Sequence, residues 1–331
     1  MFGYIVRRII SGILVLFVVS VAVFALFFFG PANPALAYCP ETKCTPSRLH
    51  AIEQELGLNK PVAEQYGTYM KGIFVGNDYK QGSIAIHCPA PCLGVSFKLR
   101  LPVTGFLMSR FPATLSIALG SAVIFLPLGL LLGTTAARRR GTSSDRLIVG
   151  SSLILNSIPY YLLALVALLT LSSQYGIFPD PGFFNPITQG PLAWIKGLLL
   201  CWLVLGIWNS TQYARFSRGS MVEALGEDYV RTARAKGLGE RRVTIRHALR
   251  AAIVPVVTIF GIDFAFLLAG TVYTEYVFSI QGIGLTALTA IRTLDLPIIE
   301  ATVLIAAAFV VAANLVVDLV YSMIDPRVRL T

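Results

Sequence analysis

The sequence contains few charged residues for its length. Only 13% of its 331 residues are Asp, Glu, Lys or Arg, whereas 55% are hydrophobic. An ordinary soluble domain is about one quarter charged, because its surface must interact with water. We therefore expect most of this chain to face lipid.

Motifs of the common nucleotide-binding and hydrolytic sites are absent too. The sequence contains no G-x-x-x-x-G-K-[ST] P-loop, no H-E-x-x-H zinc motif and no G-x-S-x-G nucleophile motif. Its three histidines, His50, His87 and His247, are widely separated. The sequence thus argues against an enzyme. We expect no catalytic residue, no metal site and no cofactor held by this chain itself.

Long apolar stretches are plentiful instead. A helix needs about 20 mostly apolar residues to cross a bilayer, and six stretches meet this condition. They cover approximately residues 9–29, 111–137, 147–171, 192–214, 251–277 and 296–324. This pattern predicts an all-α polytopic membrane protein with six transmembrane helices.

Basic residues predict the orientation of these helices. Most of the 27 Lys and Arg residues lie before the first stretch, after the sixth, and in the loops that follow the second and the fourth. Since Lys and Arg are enriched in cytoplasmic loops, both termini are expected in the cytoplasm. The formal net charge of +10 is therefore a topology signal, and we expect no nucleic-acid partner.

Residues 31–108 are expected to form a small extracytoplasmic domain. Thr45-Pro46 and Asn59-Lys60-Pro61 have the composition of helix starts, and short β-like runs follow. This segment holds four of the five cysteines, and we expect local disulfides between Cys39 and Cys44 and between Cys88 and Cys92. A four-cysteine zinc site is the alternative, although an oxidising exterior favours disulfides.

Polar groups inside the apolar stretches are candidates for function. Asp263 lies near the middle of the fifth stretch, where a carboxylate is costly unless it faces protein or a water-filled cavity. It either lines a path or pairs with an Asn, Tyr or Ser of a neighbouring helix. Asn156-Ser157-Ile158-Pro159 should kink the third helix. Asn156, Asp263 and Glu275 are our candidates for a translocation path.

The most unusual segment lies between the fourth and fifth apolar stretches. It reads EALGEDYVRTARAKG and then, after Leu238, GERRVTIRHALR. Gly237 and Gly239 should break the helical pattern, which predicts two short helices over residues 229–236 and 240–250. Such a unit between two spans suits docking to a partner protein. The alternative is a basic collar that touches anionic lipid headgroups.

This segment resembles the EAA loop of the membrane subunits of binding-protein-dependent ABC importers. The form is that of the dipeptide/oligopeptide/nickel permease family, and the resemblance rests on EDYVRTARAKGL and RHALRAAIVPV. Gly237 matches the glycine of the loop's pattern and Ala233 its second alanine. Arg231 and Thr232 stand where the pattern has Glu and the first Ala, and the proline arrives late, at Pro255.

The resemblance extends over nearly the whole chain. GTVYTEYVFSIQGIGLTALTAI and NLVVDLVYSMIDPRVR are similar to the family's later segments, with Gln281 where proline is usual. The cysteine-bearing insert before Leu93 departs from the family's pattern. The resemblance implies the type I ABC importer architecture. Its parts would be residues 1–30 with the first helix, the domain at 31–108, and a core permease domain at 109–331 that contains the coupling loop at 215–250.

The resemblance also implies partners and a role for the loop. The partners would be a second homologous permease subunit, two P-loop ATPase subunits or one fused chain, an extracytoplasmic substrate-binding protein and membrane lipid. ATP and magnesium would be bound by the ATPase subunits, and the site would be a bacterial inner membrane. The residues implied in ATPase coupling are Arg231, Thr232, Ala233, Arg234, Ala235, Lys236, Gly237, Leu238, Arg241 and Arg242.

Three functions stay open at this point. The resemblance favours a permease for dipeptides or oligopeptides, which forms half of a transmembrane path. The same kind of permease could carry nickel or another small solute. A different class, a non-transporting membrane scaffold or sensor, would use the loop for lipid or partner contact alone.

Overall fold

The computed structural model describes residues 2–29, 35, 44–55, 59–81, 84–96 and 98–324. Its helices are α1 (Phe2–Phe29), α2 (Pro46–Glu55), α3 (Val62–Val75), α4 (Val103–Arg138), α5 (Ser143–Ser157), α6 (Tyr160–Ala167), α7 (Pro191–Gly226), α8 (Asp228–Ala235), α9 (Glu240–Arg242), α10 (Leu249–Ala269), α11 (Val272–Val277), α12 (Ile283–Thr293) and α13 (Leu296–Ile324). Leu168–Gln174 and Val243–Ala248 are π-helical. The strands are β1 (Asn77–Gln81), β2 (Ile84–Cys88), β3 (Val95–Ser96) and β4 (Leu101–Pro102).

The prediction of an all-α protein with six membrane-spanning helices is confirmed. Among the described residues, five helices are long and apolar enough to cross a bilayer, and their ranges are Val6–Leu26, Val103–Arg138, Pro191–Gly226, Glu240–Ala269 and Leu296–Val317. The number is six when the bent pair Ser143–Ser157 and Tyr160–Gln174, whose halves meet at 89°, is counted as one span.

The break in the third span has a simple cause. Pro159 lacks an amide hydrogen and disfavours helical geometry at the residue before it, so α5 ends at Ser157. The indole nitrogen of Trp208 donates a hydrogen bond to the Ile158 carbonyl at 3.2 Å. A backbone acceptor released by the break is thereby satisfied, as a low-dielectric surrounding requires. The predicted kink at 156–159 is therefore present.

Three predicted helix limits are wrong. The fourth span continues past residue 214 to Gly226, and the fifth ends at Ala269 rather than at 277. Gly270 has a φ of 143°, outside helical geometry, and α11 begins as a separate helix after it. Residues 240–250 do not form a separate short helix either. They run without a break into α10, because no glycine or proline interrupts them after Gly239.

The chain divides into two compact units. The first comprises Met1–Thr114 with Gln281–Ala312, and the second comprises Leu115–Ile280 with Ala313–Thr331. In the first unit, β1 and β2 form an antiparallel hairpin in which Asn77 lies opposite Cys88. The strands β3 and β4 form a second antiparallel pair. The predicted helix starts and β-like runs of the insert are thus confirmed.

The cysteines of this insert are oxidised where the structure describes them. Cys88 and Cys92 form a disulfide, as predicted, and both are buried beside Ile86 and Val95. A disulfide between them excludes the alternative in which both are zinc thiolates. Cys44 is disulfide-bonded as well. Cys39 lies outside the described residues, so its pairing with Cys44 stays a prediction.

In the second unit, α4 and α7 approach closely through glycine. Gly129 and Gly133 are one helical turn apart in α4, and both face α7. A Cβ atom added to Gly133 would lie 2.5 Å from the Ala214 carbonyl oxygen and 2.6 Å from Ser217 Cβ. Small residues four apart allow two transmembrane backbones to pack in this way. Phe125, Tyr213 and Val256 are buried in the core next to this contact.

This contact gives a test of the fold. Gly133→Ala should destabilise the protein by roughly 1–3 kcal/mol, because the added methyl overpacks the α4–α7 contact. Gly150→Ala is the matched control, since a Cβ on Gly150 of α5 meets no atom within 4 Å. That change should be neutral or stabilise, as alanine favours a helix over glycine. Thermal unfolding in detergent compares the two variants, and equal midpoints would contradict the close α4–α7 packing.

Candidate coupling surface

The helix α8 is a short unit fixed at both ends. Glu227 is extended, with φ −68° and ψ 149°, and separates the long helix α7 from α8. α8 has only eight residues, which is too short for a stable isolated helix. Its conformation must therefore depend on packing against the rest of the protein.

One face of α8 is buried and provides that packing. Val230 and Ala233 are three residues apart and so lie on the same side of the helix. Their exposed fractions are 0% and 5%. They belong to one apolar cluster with residues of α4, α7 and the helix that begins at Glu240, namely Ala137, Met221, Ala224, Val243, Ala248 and Ala252. We call this group the anchor cluster; it holds α8 against the membrane-spanning helices.

The opposite face of α8 and the turn after it are exposed. Eight of the ten residues that the resemblance implies in coupling lie there: Arg231, Thr232, Arg234, Ala235, Lys236, Gly237, Arg241 and Arg242. Ala233 is buried in the anchor cluster and Leu238 packs against that cluster while half-buried. Ala233 and Leu238 therefore do not form part of the exposed surface; they pack beneath it and hold it in place.

Gly237 ends α8 in a turn that only certain residues adopt easily. Its φ is +80°. The Gly237 amide donates to the Arg234 carbonyl at 2.9 Å, and the Leu238 amide donates to the Ala233 carbonyl at 3.3 Å. This pair of hydrogen bonds is a Schellman motif, in which the residue after the left-handed one packs back on the helix. Leu238 does so.

Ion pairs fix the direction of the chain after this turn. The guanidinium of Arg234 donates to Glu240 at 2.7 Å and 3.5 Å, which links α8 to the start of the next helix. Arg231 pairs with Asp228 at 3.5 Å. Both pairs are exposed, so each contributes at most about 1 kcal/mol. The Arg234–Glu240 pair orients the turn, whereas the Arg231–Asp228 pair lies within α8.

A more buried ion pair fixes the part of α7 that precedes α8. Arg218 of α7 donates to the two carboxylate oxygens of Asp145 at 2.6 Å and 2.8 Å. The Gly141 amide donates to the same carboxylate at 2.9 Å. The Asp145 side chain is 6% exposed. Bidentate pairs of this kind are among the stronger ones in proteins, and this pair joins the start of α5 to the part of α7 that precedes α8.

The three path candidates lie in different settings. The Tyr213 hydroxyl donates to Asp263 at 2.9 Å, so the structure shows the pairing alternative for this carboxylate. Glu275 is fully buried, and the Thr271 hydroxyl donates to it at 3.3 Å. Asn156 is half-buried just before the break in the third span. The role of these residues in a path stays a prediction.

Sequence reasoning missed several residues that shape this site. The spacing of Val230 and Ala233 could have indicated a buried face. Asp145 and Arg218 are 73 residues apart in the chain, and nothing in the sequence shows which of the many arginines meets this aspartate. Likewise, nothing in the sequence shows that Tyr213, 50 residues from Asp263, is the residue that donates a hydrogen bond to it.

Comparison with known proteins identifies the family. A model described as binding-protein-dependent transport system inner membrane component matches residues 126–330. A second model, for the N-terminal part of such membrane components, matches residues 1–118. The chain belongs to this family. It is therefore an integral membrane permease component and not itself an ATPase, and the resemblance found in the sequence is confirmed.

Curated relatives of this permease cover almost the whole chain. It is 33% identical over 329 residues to a putative peptide transport system permease protein of Brucella abortus, with 99% of each chain covered. It is 34% identical over 326 residues to a probable peptide ABC transporter permease protein of Sinorhizobium fredii, which covers 98% of this chain and 99% of the relative. The dipeptide transport system permease protein DppB of Escherichia coli is 33% identical over 351 residues, with 99% of each chain covered.

The turn at Gly237 gives a second test. Gly237→Val should speed hydrogen exchange of the α8 amides roughly tenfold, because a left-handed φ costs an L-residue about 1–2 kcal/mol. Gly237→Asn should exchange nearly as the wild type does, since asparagine tolerates this conformation. A Cβ at this position meets no atom within 4 Å, so crowding does not confuse the comparison. Equal exchange rates in the two variants would contradict the role of the turn.

Proposed function

We propose that this permease forms half of the transmembrane path of an ATP-driven importer for dipeptides or oligopeptides. A second, homologous permease subunit would form the other half. The names of the curated relatives, which all refer to peptide or dipeptide transport, support peptide as the substrate. They favour it over nickel or another small solute.

The observation that carries the coupling role is the two-sided character of α8. Its inner face is buried in the anchor cluster, while its outer face and the following turn are exposed and cationic. Lys236, Arg241 and Arg242 form no ion pair with any other described residue. Such a surface suits a partner that presents carboxylates, and charge complementarity would fix the register of docking.

The partner in this proposal is an ATPase subunit on the cytoplasmic side. The distribution of basic residues supports a cytoplasmic position for α8 and for both termini. Two ATPase subunits would bind ATP and magnesium, and α8 would lie in a groove of one of them. An extracytoplasmic binding protein would deliver the peptide to the opposite side.

The mechanism follows from the rigid attachment of α8. When ATP brings the ATPase subunits together, the docked α8 would move with them. Because the anchor cluster joins α8 to α4, to α7 and to the helix that begins at Glu240, this movement would reach three membrane spans directly. ATP and substrate must each stabilise a different state of the spans for such a movement to drive transport.

Charge reversal tests the proposal. Lys236→Glu with Arg242→Glu should reduce copurification of the ATPase subunits more than about tenfold, because like-charge contacts cost several kcal/mol. ATP-dependent uptake of a labelled dipeptide should fall with it. Arg139→Glu with Arg140→Glu is the matched control, since these exposed residues lie in the turn between α4 and α5 and are not among the residues implied in coupling.

The control pair should keep both copurification and uptake. Normal uptake by the Lys236 and Arg242 variant would contradict the coupling role of this surface. If no ATPase subunit accompanies the wild-type chain, the scaffold or sensor alternative is favoured instead. Uptake of nickel but not of dipeptide would overturn the assignment of peptide as the substrate.

A further inference from the structure

A cavity lies beside the coupling surface, at the level where the chain enters the fifth span. Its volume is about 620 Å³. It is lined by Tyr229 of α8, by Arg246 and His247, and by four residues of α10, namely Arg250, Ala251, Val254 and Pro255. All of these residues belong to the second compact unit.

The two arginines of this cavity have no ion-pair partner among the described residues. Both Arg246 and Arg250 are exposed. None of the described residues that line the cavity is acidic. In contrast, Arg231 and Arg234 of α8 have carboxylate partners. Two free guanidinium groups on one helix face are suited to bidentate contact with the oxygens of a phosphate.

The lining changes from cationic to apolar along the helix. Arg246 and Pro255 are nine residues apart, which corresponds to about 13 Å along a helix. Pro255 is exposed and Val254 half-exposed, on the side that continues into the membrane span. A phospholipid would cover both parts, with its phosphate on the arginines and its acyl chains beside Val254 and Pro255.

Tyr229 completes the polar end of the cavity. Burial, together with the charge of Glu227, raises the pKa of the Tyr229 phenol. A tyrosine hydroxyl is protonated near neutral pH and can donate to a phosphate oxygen. Tyrosine is common at the boundary between headgroups and acyl chains because one end of its side chain is polar and the other apolar.

We infer that this cavity binds the phosphate group of an anionic phospholipid. The inference rests on the proposed orientation, in which residues 228–250 lie on the cytoplasmic side, where anionic lipid is abundant. The cations of the segment then divide into two groups. Those around Lys236, Arg241 and Arg242 face the ATPase subunit, whereas Arg246 and Arg250 hold a lipid.

Photocrosslinking tests this assignment. The full chain, purified with its accompanying subunits, is placed in nanodiscs that contain photoactivatable phosphatidylglycerol or, in a parallel sample, photoactivatable phosphatidylcholine. Arg246→Gln with Arg250→Gln should lower phosphatidylglycerol crosslinking to peptides of residues 243–260 roughly 30-fold, since each cation near the surface contributes about a fivefold gain in binding. Phosphatidylcholine crosslinking should change little.

The matched control is Arg139→Gln with Arg140→Gln, which removes two other exposed cations. This control should keep phosphatidylglycerol crosslinking within about twofold of the wild type, because those cations lie outside the cavity. An equal loss in both double variants would overturn the inference in favour of a nonspecific basic collar. Displacement of the lipid by inorganic phosphate at equal concentration would show a free-anion site instead.

The result separates this inference from the proposed coupling role. If Arg246→Gln with Arg250→Gln keeps lipid crosslinking but loses the ATPase subunits, the cavity binds an acidic partner segment and the lipid inference is wrong. If the variant loses lipid crosslinking while the ATPase subunits remain, the lipid inference holds. Failure of the Lys236 and Arg242 test would leave this outcome unaffected.

Discussion

The burial of Val230 and Ala233 in the anchor cluster is the contact on which the proposed coupling role of α8 depends. A helix of eight residues has little stability of its own in water. Full burial of one valine side chain contributes about 1.5–3 kcal/mol, enough to hold so short an element in one position. An α8 without this contact could bind a partner but could not transmit its movement.

The remaining interactions around α8 serve the same attachment. The Schellman turn at Gly237 ends the helix, and the Arg234–Glu240 pair directs the chain into the long helix toward Ala269. The Asp145–Arg218 pair holds the last turns of α7, which precede α8. Arg218, Arg231 and Arg234 pair with carboxylates, whereas the other exposed cations of the coupling surface and those of the cavity form no ion pair with a described residue.

The sequence predicts the spans well and their limits poorly. Twenty apolar residues in succession have few alternatives to a membrane helix, so all six spans are recognisable. Apolar runs do not show where a helix ends, however. The run after Gly270 continues to residue 277, although the helix stops at Ala269. Pairings between distant residues, such as Asp145 with Arg218 and Tyr213 with Asp263, depend on packing that one sequence cannot show.

The distance between α8 and α7 during the ATPase cycle tests the central claim most directly. Spin labels at Thr232 and at Gly219, an exposed position of α7 where a side chain meets no atom within 4 Å, report it by double electron–electron resonance in the assembled transporter. A single narrow distance distribution, the same without nucleotide and with ATP bound, is the predicted result. A distance distribution that broadens or shifts when ATP binds would show that α8 moves independently of α7 and would contradict the account.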